Sequence, residues 1–223
     1  MPEENASGAV PGLSGRRGQA QRNDAVILDA AREVFLADPR APISAVAARA
    51  GVGISALYRR HASKEELLRR LCHDGLRRFI AEAEAAADEP TGWDGLVRFL
   101  TRVVDADVHS LTVRLAGTFP PTAEMRRDAV RSNELVAAVV DRARADGRLR
   151  DDVVVQDVGL LLESCAAIRL PDPDRTKELR RRYLGILLAG LAAAADPPLP
   201  GPPPAAGELA WRWRSRAAAT DDA

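Results

Sequence analysis

The chain has 223 residues, of which 46% are hydrophobic and 4% aromatic, and its formal net charge at pH 7 is zero. This length suffices for one large domain or two small ones, and a composition rich in alanine and poor in aromatic residues favours helices over strands. The two cysteines, Cys72 and Cys165, are too few for a disulfide framework. No secretory segment opens the sequence and no run of about 20 apolar residues occurs, so we expect a cytoplasmic protein with no membrane partner.

Composition divides the chain into four segments. Residues 1–20 are polar and are predicted to be a disordered arm, and residues 21–70 and 71–195 are predicted to be two helical domains. In the fourth segment, residues 196–223, six of residues 196–204 are prolines, and two tryptophans that alternate with arginines follow at residues 211–214. We expect this tail to be extended and loose, and the alternative is a segment that docks on an apolar groove or an anionic surface.

The first predicted helix is capped by Asn23 or Asp24 and ends before two prolines in residues 38–42. Its apolar residues recur at helical spacing and form the expected buried stripe, which consists of Val26, Ile27, Ala30, Ala31, Val34 and Phe35.

Two short helical patterns follow, separated by a tight turn at Ala50, Gly51, Val52 and Gly53. In the first pattern Ile43, Val46, Ala47 and Ala50 share one face. Gly51 is expected to take a positive φ, and in the second pattern Leu57 is expected to point into the core. Two helices joined by such a turn are typical of a helix-turn-helix, in which the second helix enters the major groove of DNA.

The third pattern begins with a capping box formed by Ser63 and Glu66. Lys64 lies at the start of this helix, where a cation is slightly unfavourable, so a contact with phosphate explains it better than a structural role. Residues 14–64 contain nine Lys or Arg against four Asp or Glu, a net charge of +5 in a neutral chain. Such a local excess suits a domain that binds the phosphate backbone.

Four blocks at matching spacing resemble the DNA-binding domain of the tetracycline-repressor (TetR) family of bacterial regulators: 27–35 (ILDAAREVF), 46–52 (VAARAGV), 57–60 (LYRR) and 63–67 (SKEEL). Three positions depart from the family pattern. Pro42 and Ile43 replace a Ser or Thr, which leaves Ser44 as the substitute hydroxyl. Arg60 replaces a common His and still binds phosphate. His61 replaces an aromatic residue and requires a hydrogen-bond partner if it is buried.

The resemblance implies an all-α homodimer with an N-terminal three-helix helix-turn-helix domain and a C-terminal helical bundle that binds a small-molecule effector. It implies a ligand-responsive repressor acting on a palindromic double-stranded DNA operator. The outward residues of the helix-turn-helix and the residues beside it are the expected DNA contacts: Ser44, Gly53, Ser55, Ala56, Tyr58, Arg59, Arg60 and Lys64.

The C-terminal part contains further helical patterns at residues 64–87, 93–110, a short piece before Phe119, 123–145, 152–170 and 175–195, for about nine helices in all. The resemblance places the ligand pocket at Trp93, Arg102, His109, Arg114 and Phe119.

The last two helices are apolar on more than one face, which predicts a dimer interface. The residues expected in it are Leu161, Cys165, Ile168, Tyr183, Leu184, Leu187, Leu188 and Leu191. Burial of these residues within one subunit is the alternative.

Catalytic motifs are missing from the sequence, which contains no nucleophile elbow, P-loop or dinucleotide fingerprint. The three histidines and two cysteines have no metal-binding spacing, so we predict no metal, no cofactor and no enzymatic activity. Two alternatives remain open. One is a helical-bundle enzyme with an incidental helix-turn-helix, and the other is a DNA-binding regulator that responds to no effector.

Overall fold

The computed structural model describes residues 14–115, 117–193, 197–205 and 207–208, and it divides into two compact units between Leu67 and Leu68. The first unit contains α1 (Ser14–Ala37), α2 (Ile43–Ala50) and α3 (Ile54–Tyr58). Helix α4 (Lys64–Ala85) begins in the first unit and continues into the second. The second unit continues with a 3₁₀ turn (Ala86–Asp88), α5 (Gly92–Asp105), α6 (Val108–Leu115), α7 (Ala123–Ala145), α8 (Val155–Ala167) and α9 (Pro173–Leu191).

The predicted all-α class with about nine helices is confirmed. Within the described residues, the pairing of extended backbone is limited to an isolated bridge between Leu149 and Ala192. The predicted disordered arm lies outside the described residues as far as residue 13, but its residues 14–20 are helical, so this part of the prediction was wrong. The tail lies outside the described residues at 196, 206 and 209–223.

The first unit is held by apolar side chains of three helices. Ile27, Ala31 and Phe35 of α1 pack with Val46 of α2 and Leu57 of α3, and all five are almost completely buried. Helix α1 begins at Ser14, so the predicted cap at Asn23 or Asp24 was wrong. Gln, Ala and Arg are good helix formers, and they allow the helix to extend beyond its buried stripe.

The second unit is organised around α5, whose apolar stripe faces α7, α8 and α9. Leu96, Phe99 and Leu100 of this helix have no exposed surface. A Cβ atom on Gly92 would clash with the backbone of Arg142, so this glycine permits the close contact of α5 with α7.

The sequence predicted a single helix over residues 93–110, but the chain breaks at Ala106 and Asp107. Asp107 has a φ of 50°, a left-handed conformation that ends an α-helix and that aspartate tolerates better than most residues. Helix α8 is shorter than the predicted 152–170, because the backbone is extended at Val154 before it and at Ile168 after it. Helix α9 begins earlier than the predicted residue 175, since Asp172 caps it, and ends at Leu191, where Ala192 turns extended.

Both cysteines are buried and free. Burial raises the pKa of the Cys72 thiol to about 12 and raises that of Cys165 as well. Cys165 belongs to the core of the second unit, where it packs as a small apolar residue.

Candidate nucleic-acid interface

The turn between α2 and α3 is fixed by backbone hydrogen bonds. Gly51 has a φ of 65°, and the amides of Gly51 and Val52 donate to the carbonyl oxygens of Ala48 and Ala47 at 3.2 and 3.0 Å. This pair of bonds is a Schellman motif, which satisfies the last carbonyls of a helix and needs a left-handed residue just beyond it. The turn therefore sets the direction in which α3 leaves α2.

Helix α3 divides its residues between core and surface. Leu57 is completely buried and anchors the helix, whereas Ser55 is exposed and Tyr58 exposes 48% of its surface. The helix ends at Tyr58, so Arg59 and Arg60 follow it in a turn and do not belong to the helix as the sequence suggested. Of the other predicted DNA contacts in this unit, the exposed ones are Ser44, Gly53 and Arg59, and the partly buried ones are Ala56, Arg60 and Lys64.

A surface groove of about 300 Å³ lies between α1 and the end of α3. It is lined by Asn23, Ile27, Val52, Ala56, Arg59 and Arg60. Two guanidinium groups beside an amide give this groove the hydrogen-bond donors and the positive charge that a phosphate group requires.

Lys64 has a structural role that the sequence did not predict. Its ammonium group donates to the carbonyl oxygens of Pro39 at 3.1 Å and Ala41 at 2.7 Å, and it lies 5.2 Å from the centre of the Phe35 ring. Two hydrogen bonds and a cation–π contact hold the loop between α1 and α2 against the start of α4. The expectation that Lys64 has little structural role was wrong, whereas its contact with phosphate stays a prediction.

The predicted capping box is present, but one of its two hydrogen bonds involves a different residue from the one expected. The Ser63 hydroxyl accepts from the amide of Glu66 at 3.1 Å, and the Glu66 carboxylate accepts from the amide of Ala62 at 2.7 Å, one residue before the expected partner. Next to this cap, His61 is 2% exposed, and its Nε2 lies 3.3 Å from Oδ1 of Asp24, a contact without hydrogen-bond geometry. The buried position expected for this histidine is present, and the nearest partner is a carboxylate on α1.

The five residues predicted to bind an effector lie in different surroundings. Trp93 and Phe119 are buried, Arg114 is exposed, and Arg102 pairs with Glu82 at 3.5 Å. His109 lines a cavity of about 10 Å³, which holds about one water molecule, and the other four residues do not line it.

Arg180, which sequence reasoning missed, lines that cavity together with Asp107. It is 5% exposed, and its guanidinium pairs with Asp107 at 2.6 Å and donates to the carbonyl oxygens of Ile168 at 3.0 Å and Ala166 at 3.2 Å. A fourth interaction, at 3.3 Å, reaches the hydroxyl of Ser110. One side chain of α9 thereby joins the break between α5 and α6 to the end of α8, and no local sequence pattern marks such a long-range contact.

The predicted dimer residues separate into two groups. Leu161, Cys165 and Leu184 are buried in the core of the second unit, so their placement in a subunit interface was wrong. They lie on the faces of α8 and α9 that pack against α5. Tyr183 is exposed, and the remaining residues are only partly buried: Ile168, Leu187, Leu188 and Leu191.

A three-helix unit with a tight helix–turn–helix and an outward-facing second helix defines a DNA-binding protein of the helix-turn-helix class. Two family models match the chain, "Bacterial regulatory proteins, tetR family" at residues 27–71 and "Transcriptional regulator SbtR-like, C-terminal domain" at residues 91–193. The protein belongs to the TetR family and is a DNA-binding transcriptional regulator.

Solved structures share this fold. The regulator SCO0520 from Streptomyces coelicolor is 24% identical, covers 78% of this chain and 99% of its own, and has a TM-score of 0.55. LfrR from Mycobacterium smegmatis, solved in complex with proflavine, is 22% identical, with coverage of 80% and 99% and a TM-score of 0.57. The ketosteroid regulator KstR2 of Mycobacterium tuberculosis is 20% identical, with coverage of 81% and 97% and a TM-score of 0.57. A search of curated proteins gave no match.

Among the described residues, none of the helices combines the length and the apolarity needed to cross a bilayer.

Proposed function

We propose that this protein is a ligand-responsive repressor that binds a palindromic operator as a homodimer. The observation that carries the proposal is the anchored α2–turn–α3 module, which fixes Leu57 in the core and leaves Ser55 and Tyr58 accessible. In this arrangement Ser55, Ala56 and Tyr58 reach base edges in the major groove. Ser44, Gly53, Arg59 and Arg60 contact the phosphate backbone, and Lys64 has one donor left after its two internal hydrogen bonds.

Homodimerisation is supported by an apolar face of α9 that the described residues leave exposed. Tyr183, Ile186 and Gly190 recur at helical spacing, and Ile186 exposes 57% of its surface. A Cβ on Gly190 would meet no atom of the described residues within 4 Å, so none of them requires a glycine there. A glycine inside a helix lowers the stability of the helix by about 1 kcal/mol relative to alanine. The close approach of a helix from a second subunit explains why a glycine is nevertheless present.

Effector binding is supported by the resemblance to regulators that include one solved with proflavine. The cavity of about 10 Å³ at His109 and Arg180 is too small for such a molecule, so an effector must select a more open arrangement of α6 and α8. The same small volume favours the second candidate function, a regulator that responds to no effector. An operator-driven reporter distinguishes the two: expression that no tested compound or growth condition changes supports the second candidate.

The operator is found by selecting double-stranded DNA from a random pool with the full chain. The expected result is an inverted repeat whose half-sites lie about one helical turn, or a multiple of it, apart. Enrichment of a single asymmetric site, or no enrichment, would contradict the dimeric operator.

The Tyr58 hydroxyl is tested on the selected operator. Tyr58→Phe should weaken operator binding by about 1 kcal/mol if this hydroxyl bonds to a base or a phosphate. Half of the side chain is exposed, so folding should be unaffected, and a circular dichroism spectrum checks this. A Tyr58→Ala protein that binds the operator as the wild type does would show that α3 does not enter the groove.

A further inference from the structure

We propose that His73, Glu124 and Asp128 form a binding site for a divalent transition-metal ion between α4 and α7. One ligand atom from each residue lies within 4.8 Å of the other two. The site lies within the second unit and is independent of the proposed operator contacts and of the effector cavity.

The convergence of these three side chains follows from the packing of two helices. Glu124 and Asp128 are four residues apart on α7, so both carboxylates project from one face. His73 on α4 meets this face, and its Nε2 lies 2.7 Å from Oδ2 of Asp128. The imidazole is 13% exposed and the Asp128 side chain is 25% exposed, so the two strongest ligands are partly shielded from water.

The donor set determines the class of ion. One imidazole nitrogen with two carboxylates suits Zn²⁺, Mn²⁺, Fe²⁺ or Co²⁺, whereas Mg²⁺ and Ca²⁺ prefer oxygen donors alone. Bonds from zinc to such donors are about 2.1 Å long, so ligands of one ion lie roughly 3–4 Å apart. Separations of up to 4.8 Å require closure by about 1 Å, whereas the 2.7 Å contact between His73 and Asp128 has to lengthen slightly. Water would fill the remaining coordination positions.

One cation of the chain competes with the metal. Arg77 on α4 donates to Oε1 of Glu124 at 2.7 Å, and both side chains are more than half exposed. An exposed ion pair contributes little free energy, so a bound ion of charge +2 can displace the guanidinium. The sequence predicted no metal site, because His73 and Glu124 are distant in the chain and neither belongs to a metal-binding motif.

The test titrates the full, untagged and metal-free chain with Co²⁺ followed by visible absorption, and with Zn²⁺ followed by calorimetry. We expect one ion per chain and d–d absorption bands that are absent from free Co²⁺ in the same buffer. His73→Gln and Asp128→Asn should each raise the Kd at least about ten-fold. Glu124→Gln should do the same without affecting the fold, because this side chain is exposed.

Two further variants separate coordination from surface charge. Arg77→Gln should tighten binding, since it removes the competing cation. Glu134→Gln, which removes an exposed carboxylate of the same helix, should leave the Kd unchanged. Fewer than one ion per chain, or equal Kd values in the wild type, His73→Gln and Glu124→Gln, would overturn the proposal.

Discussion

Arg180 and Arg181 are neighbours on α9, and each forms an ion pair with an aspartate near the end of α5. Arg181 pairs with Asp105 through two bonds of 2.6 and 3.1 Å, but its side chain is 63% exposed. Arg180 is buried and bonds to Asp107 and to three further oxygen atoms. Solvent screens the first pair, whereas loss of the second leaves buried polar atoms unsatisfied.

Arg180→Met should lower the free energy of unfolding by roughly 3 kcal/mol, because a partly buried carboxylate and two carbonyl groups lose their partner. Arg181→Met removes the same number of charges from the surface and is the matched control, with a nearly unchanged free energy of unfolding. Urea denaturation followed by circular dichroism measures both. Equal effects of the two substitutions would refute the role assigned to burial.

Lys64 and Lys177 are the two lysines of the chain, and their contributions to stability can be compared directly. Lys64→Met keeps the aliphatic stem but removes the donors to Pro39 and Ala41, and should cost about 1–2 kcal/mol of stability. The ammonium of Lys177 pairs with a strongly exposed Asp174, so Lys177→Met should change stability little. If Lys64→Met weakens DNA binding while stability stays at the wild-type value, this lysine acts on DNA and not on the loop.

At the scale of elements, the helix-turn-helix depends on the conformation of one glycine. Gly51 and Gly53 flank Val52, and a Cβ atom on either glycine would meet no atom within 4 Å. They differ in the backbone, because φ is 65° at Gly51 and −66° at Gly53. Only the first value is unfavourable for a residue with a side chain.

Gly51→Ala should therefore lower the free energy of unfolding by about 1–2 kcal/mol, whereas Gly53→Ala should leave it near the wild-type value. Gly51→Asn should be milder, because asparagine tolerates the left-handed conformation better than alanine. Thermal unfolding of the three variants provides the measurement. A Gly53→Ala protein as unstable as Gly51→Ala would imply that α3 does not begin as described.

At the scale of the whole molecule, α8 and α9 present apolar residues to two different surroundings. Leu161 and Leu184 face the core of their own unit, whereas Tyr183 and Ile186 face outward. An apolar helix face is expected both in the core of a subunit and in an interface between subunits, so composition does not distinguish the two. The burial of each residue within its own subunit does.

Ile186→Arg should produce a folded monomer, because the new charge is hydrated in the free subunit and would be buried without a partner in a dimer. Leu161→Arg should instead unfold the second unit, since its position is already in the core. Val130→Arg is the control, because Val130 is also apolar and exposed but lies on α7, outside the proposed interface, and this variant should leave the dimer intact. Sedimentation at micromolar concentration distinguishes these outcomes, and a wild-type monomer would overturn the proposed assembly.

Local sequence specifies the features that depend on neighbours within a few residues. These are the helical class, the bounds of α7, the turn at Gly51 and the capping of α4 by Ser63. Each follows from periodicity, from backbone preference or from hydrogen bonds within one helical turn, so the residues themselves specify it. The resemblance to the TetR family rests on matching sequence blocks and likewise needed no coordinates.

The positions of the long-range partners depend on how the helices pack and could not be predicted from local sequence. Lys64 reaches carbonyl groups 23 and 25 residues away, Arg180 fixes a break in the chain around Asp107, and His73 meets a carboxylate 55 residues distant. Leu161 is buried in the core and Tyr183 is exposed, although both were predicted to lie in the dimer interface. Helical spacing shows which residues of a helix share a face, but it does not show what packs against that face. Contacts between distant segments depend on how helices pack, and the free energy of that packing is distributed over the whole core.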